Sequence, residues 1–374
     1  EKAVRASLVA RRELADATLP IRFLAKQPDA RYHPAVDPRG FPTTLPEFQR
    51  VFPSDAACAA YLEKLRWPGG FACQKCGTVG EPYRFPKRSS VVLRCRGCEA
   101  NVSLTAGTVM QASHTPLSMW FWGAYLVTTQ TPGQSARQFQ RQLGICRYET
   151  AFQTLHKLRA GMVRPDRDTI GGQYPVEIDE TLVGGRTRGE GRGAHHKATV
   201  VGAIEVRRRR EREDRAVEGR RRHAEGKPLK RATYAGRLRL RVVPSRGAEH
   251  LTAFVKENVV KGAVVRTDGW QGYDDLAKLG YDHQAVVLDG DPDKAQAHLP
   301  MIHLAFSNLK TWLLGTHHGV SQQHLQAYLN EYVFRFNRRF YPMTAFNSVL
   351  GLAVRVVPPT YEGLYSGKWV HPGG

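Results

Sequence analysis

Two Cys-x-x-Cys pairs, Cys73-Gln74-Lys75-Cys76 and Cys95-Arg96-Gly97-Cys98, stand 18 residues apart and constrain the fold more tightly than any other feature of the chain. Between them lie two short runs with strand character, Pro82-Tyr83-Arg84-Phe85 and Val91-Val92-Leu93-Arg94. Two such knuckles joined by a hairpin hold four sulfurs in a tetrahedron, the ligand set of a zinc ribbon. All four positions are filled by protein, so the zinc expected here is structural. Cys58 and Cys146 fall outside the pattern and read as small core residues. Six cysteines, four of them at metal spacing, suit a reducing compartment better than a secreted disulfide framework.

The 374 residues are enough for two or three domains and carry a net charge of +21. An excess of that size attracts a polyanion, and because the basic residues accompany the motifs rather than forming one tail, the partner expected is DNA. No apolar run approaches the ~20 residues needed to span a bilayer. The longest, Met119 to Val127, reads as a buried helix, and no membrane partner is expected. Charged residues recur through the first stretch, which is not the pattern of a signal peptide.

Composition and periodicity divide the chain into an α+β multidomain protein. Residues 1–46, rich in Pro and Arg, read as an N-terminal arm; 47–110 as a helix plus the zinc ribbon. Residues 111–170 are helical: an aromatic helix from Met119 to Thr128, a capped helix from Ser135 to Leu143, a Gly-bearing break and a second helix from Tyr148 to Arg159. The last two have the spacing of a helix-turn-helix, with Arg137, Arg141, Tyr148, Thr150, Gln153, His156 and Lys157 as DNA-contact candidates. Residues 171–345 alternate strands near 176–183, 197–206, 235–244, 263–268 and 284–289 with helices near 248–260, 271–279 and 302–315, which predicts a mixed five-stranded sheet with helices packed on it. A basic insertion, 207–231, holds 12 Lys/Arg against 5 Asp/Glu without apolar period and reads as a solvated loop. Residues 346–374 read as a C-terminal tail.

The chemistry concentrates on two of these strands. Asp179 lies on the first and Asp268 ends the fourth; in a sheet of this order the two strands are neighbours, and the carboxylates can face one another. Paired hard-oxygen ligands suit Mg²⁺ or Mn²⁺, and two such ions support an in-line displacement at phosphorus. In a basic chain this points to cutting and joining DNA. A third ligand is expected from the later helix. His303 and Lys310, seven residues apart, share a helix face, so His303 can complete the site while Lys310 contacts a phosphate. Imidazole shifts preference toward Mn²⁺. Asn308, through its amide oxygen, and Glu331, further downstream, stay open as alternatives.

Taken together, the four cysteines, Ile178-Asp179-Glu180-Thr181 with Gly184-Gly185, and Thr267-Asp268-Gly269-Trp270 with Tyr273 resemble the DDE-type transposases of bacterial insertion sequences, in the zinc-ribbon-bearing group related to eukaryotic Merlin elements. So do Phe306-Ser307-Asn308-Leu309-Lys310, Gly315-Thr316-His317-His318 and Phe334-Arg335-Phe336-Asn337-Arg338-Arg339. The resemblance implies a ribonuclease-H-like catalytic domain, binding to terminal inverted repeats, hydrolytic nicking at the element's ends and strand transfer into target DNA. It implies Asp179 and Asp268 as the first two catalytic acids and Lys310 as the helix lysine. Where relatives carry Glu seven before that lysine, this chain has His303; other relatives use Asn, matching Asn308. A homodimer or larger homo-oligomer, acting in the bacterial cytoplasm on the nucleoid, is expected because two ends must be joined. Two other functions stay open: a non-catalytic, domesticated or decayed DNA-binding protein, and a structure-specific nuclease.

Overall fold

The structure, a computed structural model, describes residues 42, 44–87, 90–164, 167–184, 197–208, 233–287, 294, 297–356 and 359–365. The expected arm over 1–46 and the insertion over 207–231 lie almost wholly outside the described residues, as does the end of the tail. Among the described residues, no helix is long and apolar enough to cross a membrane. The chain forms two compact units: one of residues 1–167, 184–187 and 309–374, the other of residues 168–183 and 188–308.

In the first unit, α1 (Leu45–Val51) and α2 (Asp55–Arg66) precede the ribbon strands β1 (Tyr83–Lys87), β2 (Ser90–Arg94) and β3 (Asn101–Ser103). A single helical period over 45–65 is interrupted because Pro53 cannot continue α1, and Ser54 starts α2 afresh by accepting the Ala57 N–H at 3.3 Å. Helices α3 (Leu117–Thr129), α4 (Ala136–Gln142) and α5 (Tyr148–Ala160) follow. After residue 308 the unit resumes, adding α8 (Gln322–Asn337), α9 (Pro342–Ala353) and the short α10 (Tyr361–Tyr365). Phe48, Trp120, Phe121, Phe139, Leu158, Phe334 and Phe346 share its core. A tail beginning at residue 346 is therefore corrected: Phe346, Val349, Leu350 and Ala353 repeat at helical spacing and are fully buried. Cys58 is a core residue as expected, its thiol pushed up to about 12 by burial. Cys146 is not; it sits exposed in the turn between α4 and α5.

The second unit is built on a five-stranded sheet of order β6-β5-β4-β7-β8, from β4 (Val176–Val183), β5 (Ala198–Arg208), β6 (Thr233–Val243), β7 (Val264–Thr267) and β8 (Asp282–Ala285). Three consecutive strands pair antiparallel, then α6 (Ala248–Asn258) carries the chain across to β7, which lies parallel to β4 and to β8. The mixed sheet is the one expected. Side chains alternate along it. Val176, Ile178, Val201, Ala203 and Val265 pack with Leu251, Phe254 and Val255 of α6.

The opposite face receives the start of α7 (Pro300–Trp312), whose buried residues Met301, Ile302, Ala305 and Phe306 recur at helical spacing. The close approach is made at Gly202. A Cβ there would lie 2.9 Å from the side chains of Ile302, Phe306 and Leu240. Gly202 is the cross-strand partner of Asp179, so the absence of a side chain lets α7 settle beside that carboxylate.

Two predictions follow from this packing. Gly202→Ala should overpack the contact and lower the stability to urea by about 1–3 kcal/mol. The second concerns Glu205, buried on β5 and held by Arg207 at 2.7 Å and Arg237 at 2.8 Å. Burial alone would raise its carboxyl, but the two guanidiniums outweigh it and hold the group at about 2, against an ordinary 4.5. A depressed folded value contributes stability above the unfolded value and loses it as pH falls. Stability should therefore decline between about pH 4.5 and about pH 2, and Glu205→Gln should flatten that stretch of the profile.

Candidate active site and metal centres

The register of the parallel pair explains how two distant acids meet. Val176 pairs with Val265 and Glu177 with Arg266, so one further step along both strands and another bring Asp179 level with Asp268. Carboxylate oxygens of Asp179, Asp268 and Glu180 all lie within 4.8 Å of one another. Asp179 accepts the Glu180 N–H at 2.8 Å, and Asp268 accepts the Trp270 N–H at 3.1 Å, which fixes the orientation of each carboxylate. Glu180, for which the sequence suggested no role, belongs to the same quoted motif. It is held from the other side: the Arg246 Nε donates at 2.6 Å and the Tyr273 hydroxyl at 2.7 Å. Burial raises its carboxyl above the ordinary range and Asp179 adds to the effect, while Tyr273 and Arg246 work against it. The Arg246 guanidinium also stacks on the half-exposed Trp270 ring, 4.3 Å from its centroid.

His303 is the first polar residue of α7 to reach this cluster. Its Nε2 lies 3.1 Å from Asp179 Oδ2, and that hydrogen bond is the main cause holding the imidazole above its usual 6.5. Asn308 is half-buried; five residues along a helix turn it roughly 140° from His303. No hydrogen bond links its side chain to the acids among the described residues. Lys310 is exposed near the end of the same helix. Glu331 is corrected as an alternative ligand: it is fully buried in α8 and already paired, with Arg159 at 2.8 Å and Arg335 at 3.6 Å.

The residues fit a divalent cation. Three carboxylates converge as hard ligands, and an octahedral shell with bonds near 2.1 Å sets adjacent donors roughly 3 Å apart, the spacing of the His303 and Asp179 atoms. The four cysteines also converge, all Sγ atoms within 4.8 Å of one another. Cys73 and Cys98 are 3.6 Å apart, Cys76 and Cys95 3.7 Å. Sulfurs bonded to one zinc at about 2.3 Å lie roughly 3.8 Å apart. A disulfide needs about 2.05 Å. Both knuckles close through the same turn, with Gly77 (φ +75°) and Glu99 (φ +55°) at equivalent left-handed positions. On the outer face of the ribbon Tyr83 and Phe85 are exposed, and the Arg96 guanidinium lies 4.4 Å from the Tyr83 ring centroid.

Of the DNA-contact candidates on α4 and α5, Arg137 and Arg141 are exposed, and Arg137 stacks on the half-buried Tyr148 ring at 4.9 Å. Thr150, Gln153 and Lys157 line an open groove of 540 Å³ together with Arg147 and His114. Two readings change. His156 is completely buried, because it shares a helix face with Phe152 and packs on that ring (4.1 Å) and on Tyr328 (5.5 Å). Lys157 is half-buried and donates to the Gln111 carbonyl at 3.0 Å, and burial lowers its amine.

The buried Glu177 was also missed from sequence. A lone acid between Val176 and Ile178, on the same strand face as Asp179, was the available signal. Burial pushes it up to about 7.

Against this geometry, the comparisons are specific. Residues 53–101 match a transposase zinc-ribbon domain and residues 170–337 an ISXO2-like transposase domain. No curated protein and no solved structure matches the chain. The first match covers the four-cysteine ribbon, and the second spans both convergent aspartates and the helix that brings His303 to them; the chain belongs to the DDE-type transposases of insertion sequences.

Proposed function

We propose that the protein is an active DNA transposase, which binds the terminal inverted repeats of its element and catalyses metal-dependent strand cleavage and strand transfer. The observation that carries this reading is the convergence of Asp179 and Asp268 within a cluster of carboxylate oxygens spanning no more than 4.8 Å. In the reading, Asp179 and Asp268 hold Mg²⁺ or Mn²⁺ and His303 completes the ligand set, with Asn308 the neighbouring amide. When bound, such ions activate the attacking water or 3′-hydroxyl and stabilise the leaving oxygen. The chain's own residues orient the ligands: the Glu180 and Trp270 N–H groups fix the two aspartates, and Arg246 with Tyr273 takes up the charge of Glu180.

DNA binding is assigned to the zinc ribbon, to Arg137, Arg141, Tyr148, Thr150 and Gln153 of a helix-turn-helix formed by α4 and α5, and to Lys310 as a phosphate contact. The catalytic unit is read as ribonuclease-H-like, from a sheet whose first three strands are antiparallel and whose last two join in parallel. Because two ends must be joined, the working form is a homodimer or larger assembly.

The test uses duplexes taken from the DNA that flanks the coding region. Asp179→Asn should lower nicking by on the order of 10³-fold, the rate equivalent of several kcal/mol of metal stabilisation, while end binding in a mobility-shift assay stays near wild type. Wild-type nicking by this variant overturns the assignment. End-specific binding by the wild type with no cleavage in either metal selects the non-catalytic alternative, and cleavage of branched DNA regardless of sequence selects the nuclease. Zinc gives a separate check. One zinc per chain is expected by metal analysis, and Cys95→Ser should lose it, expose residues 73–98 to protease and weaken DNA binding, with the sheet of β4 to β8 still protected.

A further inference from the structure

We infer that Glu177 is a positioning residue of the catalytic site, a buried clamp that sets the height of the α7 helix against β4 and so holds His303 at Asp179. The inference rests on the reading of the acidic cluster as a metal centre. Glu177 is 0% exposed, yet it has no cation within ion-pair distance among the described residues. Its Oε2 instead accepts two backbone N–H groups at the start of α7, from Met301 at 2.7 Å and Ile302 at 2.9 Å. These belong to the first turn, whose N–H groups have no partner within the helix. A carboxylate there also meets the positive end of the helix dipole.

The consequence is geometric. Glu177 and Asp179 are two residues apart on β4 and point to the same face, while Ile302 and His303 are consecutive on α7. Strand and helix are therefore joined twice at neighbouring points, by Glu177 to the backbone and by Asp179 to the His303 ring. On the adjoining strand β5, Gly202, the cross-strand partner of Asp179, lets the helix approach with no side chain between them. The first link does not touch the reacting atoms. It fixes where the helix begins, and hence the reach of the residues that follow. The other oxygen, Oε1, is buried without a hydrogen-bond partner among the described residues. That is a cost the core would not carry for an ordinary helix cap, since an exposed Ser or Asp in the chain before α7 would serve as well.

The experiment compares Glu177→Leu, which fills the space without an acceptor, and Glu177→Gln, which retains one acceptor oxygen, each alone and combined with His303→Ala, in the full zinc-loaded chain. Two readouts are independent of cleavage: Mn²⁺ affinity by calorimetry and hydrogen exchange at the Met301 and Ile302 amides. Glu177→Leu should weaken Mn²⁺ binding by roughly 10- to 100-fold, as loss of an outer partner of a ligand does, and deprotect both amides. Glu177→Gln should fall between it and wild type on both measures. In the His303→Ala background Glu177→Leu should cost less than about twofold more, because groups acting through one contact are not additive. Equal losses in both backgrounds overturn the inference and leave Glu177 a stabilising cap only, as does wild-type Mn²⁺ affinity in a folded Leu variant. If Leu does not fold, a Gln variant reduced in both Mn²⁺ affinity and amide protection supports the clamp, and one with wild-type Mn²⁺ affinity overturns it, whatever its amide protection. Should Asp179→Asn bind Mn²⁺ as wild type does, the metal-centre reading itself fails.

Discussion

Mutual repulsion among three carboxylates is the constraint around which the second unit is built. Asp179, Asp268 and Glu180 lie within 4.8 Å of one another, which at an effective dielectric near 20 costs roughly 3 kcal/mol or more for each ionised pair. A fold selected for stability alone would separate them. This one brings them together by strand register and then offsets part of the cost locally. Arg246 and Tyr273 hold Glu180, and His303, raised above its ordinary value, leans on Asp179. What is left is negative charge on one side of the sheet's parallel junction, in a chain of net charge +21. A divalent cation would answer that imbalance, since hard oxygen ligands of this kind suit Mg²⁺ or Mn²⁺.

Small residues and buried polar groups place the elements that bring the acidic cluster together. Gly202 admits α7 against the sheet, and Glu177 ties the helix start to the strand that bears Asp179. In the other unit the same economy appears in the Arg159–Glu331 pair, buried between α5 and α8 and flanked by Arg335. Removing one partner of such a pair leaves an uncompensated charge in the core, so it fixes which helices meet. The ribbon solves a different problem. Its cluster of Phe71, Leu93, Cys73 and Cys95 is too small to stabilise three short strands, and four sulfurs at zinc spacing supply what the apolar core lacks.

Much of this was legible before any coordinates. Cysteine spacing located the ribbon, alternating apolar residues located all five strands within a few positions, and the order of strands and helices implied that β4 and β7 are neighbours. The reading failed where a residue's identity suggested one environment and its helix face imposed another. His156 looks like a base-contacting polar residue, but it lies one turn from Phe152 and is buried with it. Glu331 looks like a spare acid, but a guanidinium waits opposite it. Phe346, Val349, Leu350 and Ala353 carry a helical period that was read as tail because nothing in sequence shows what covers it. Glu180 and Glu177 were overlooked because an acid close to Asp179 on the same strand carries no periodic signal of its own.

By itself the sequence determined the elements and their residue patterns: which segments alternate with period two or repeat every 3.6 residues, which thiols stand at metal-ligand spacing, and which acids end strands. Those are local properties, set by side-chain spacing and backbone propensity. Tertiary structure alone decided that the parallel register levels Asp179 with Asp268, that α7 descends far enough for His303 to reach the first of them, and that Glu331 is consumed by Arg159. Such outcomes depend on pairings between residues far apart in the chain, from Asp179 with Asp268 to Arg159 with Glu331. They are fixed by close packing at positions such as Gly202, where the decisive feature is the side chain that is missing.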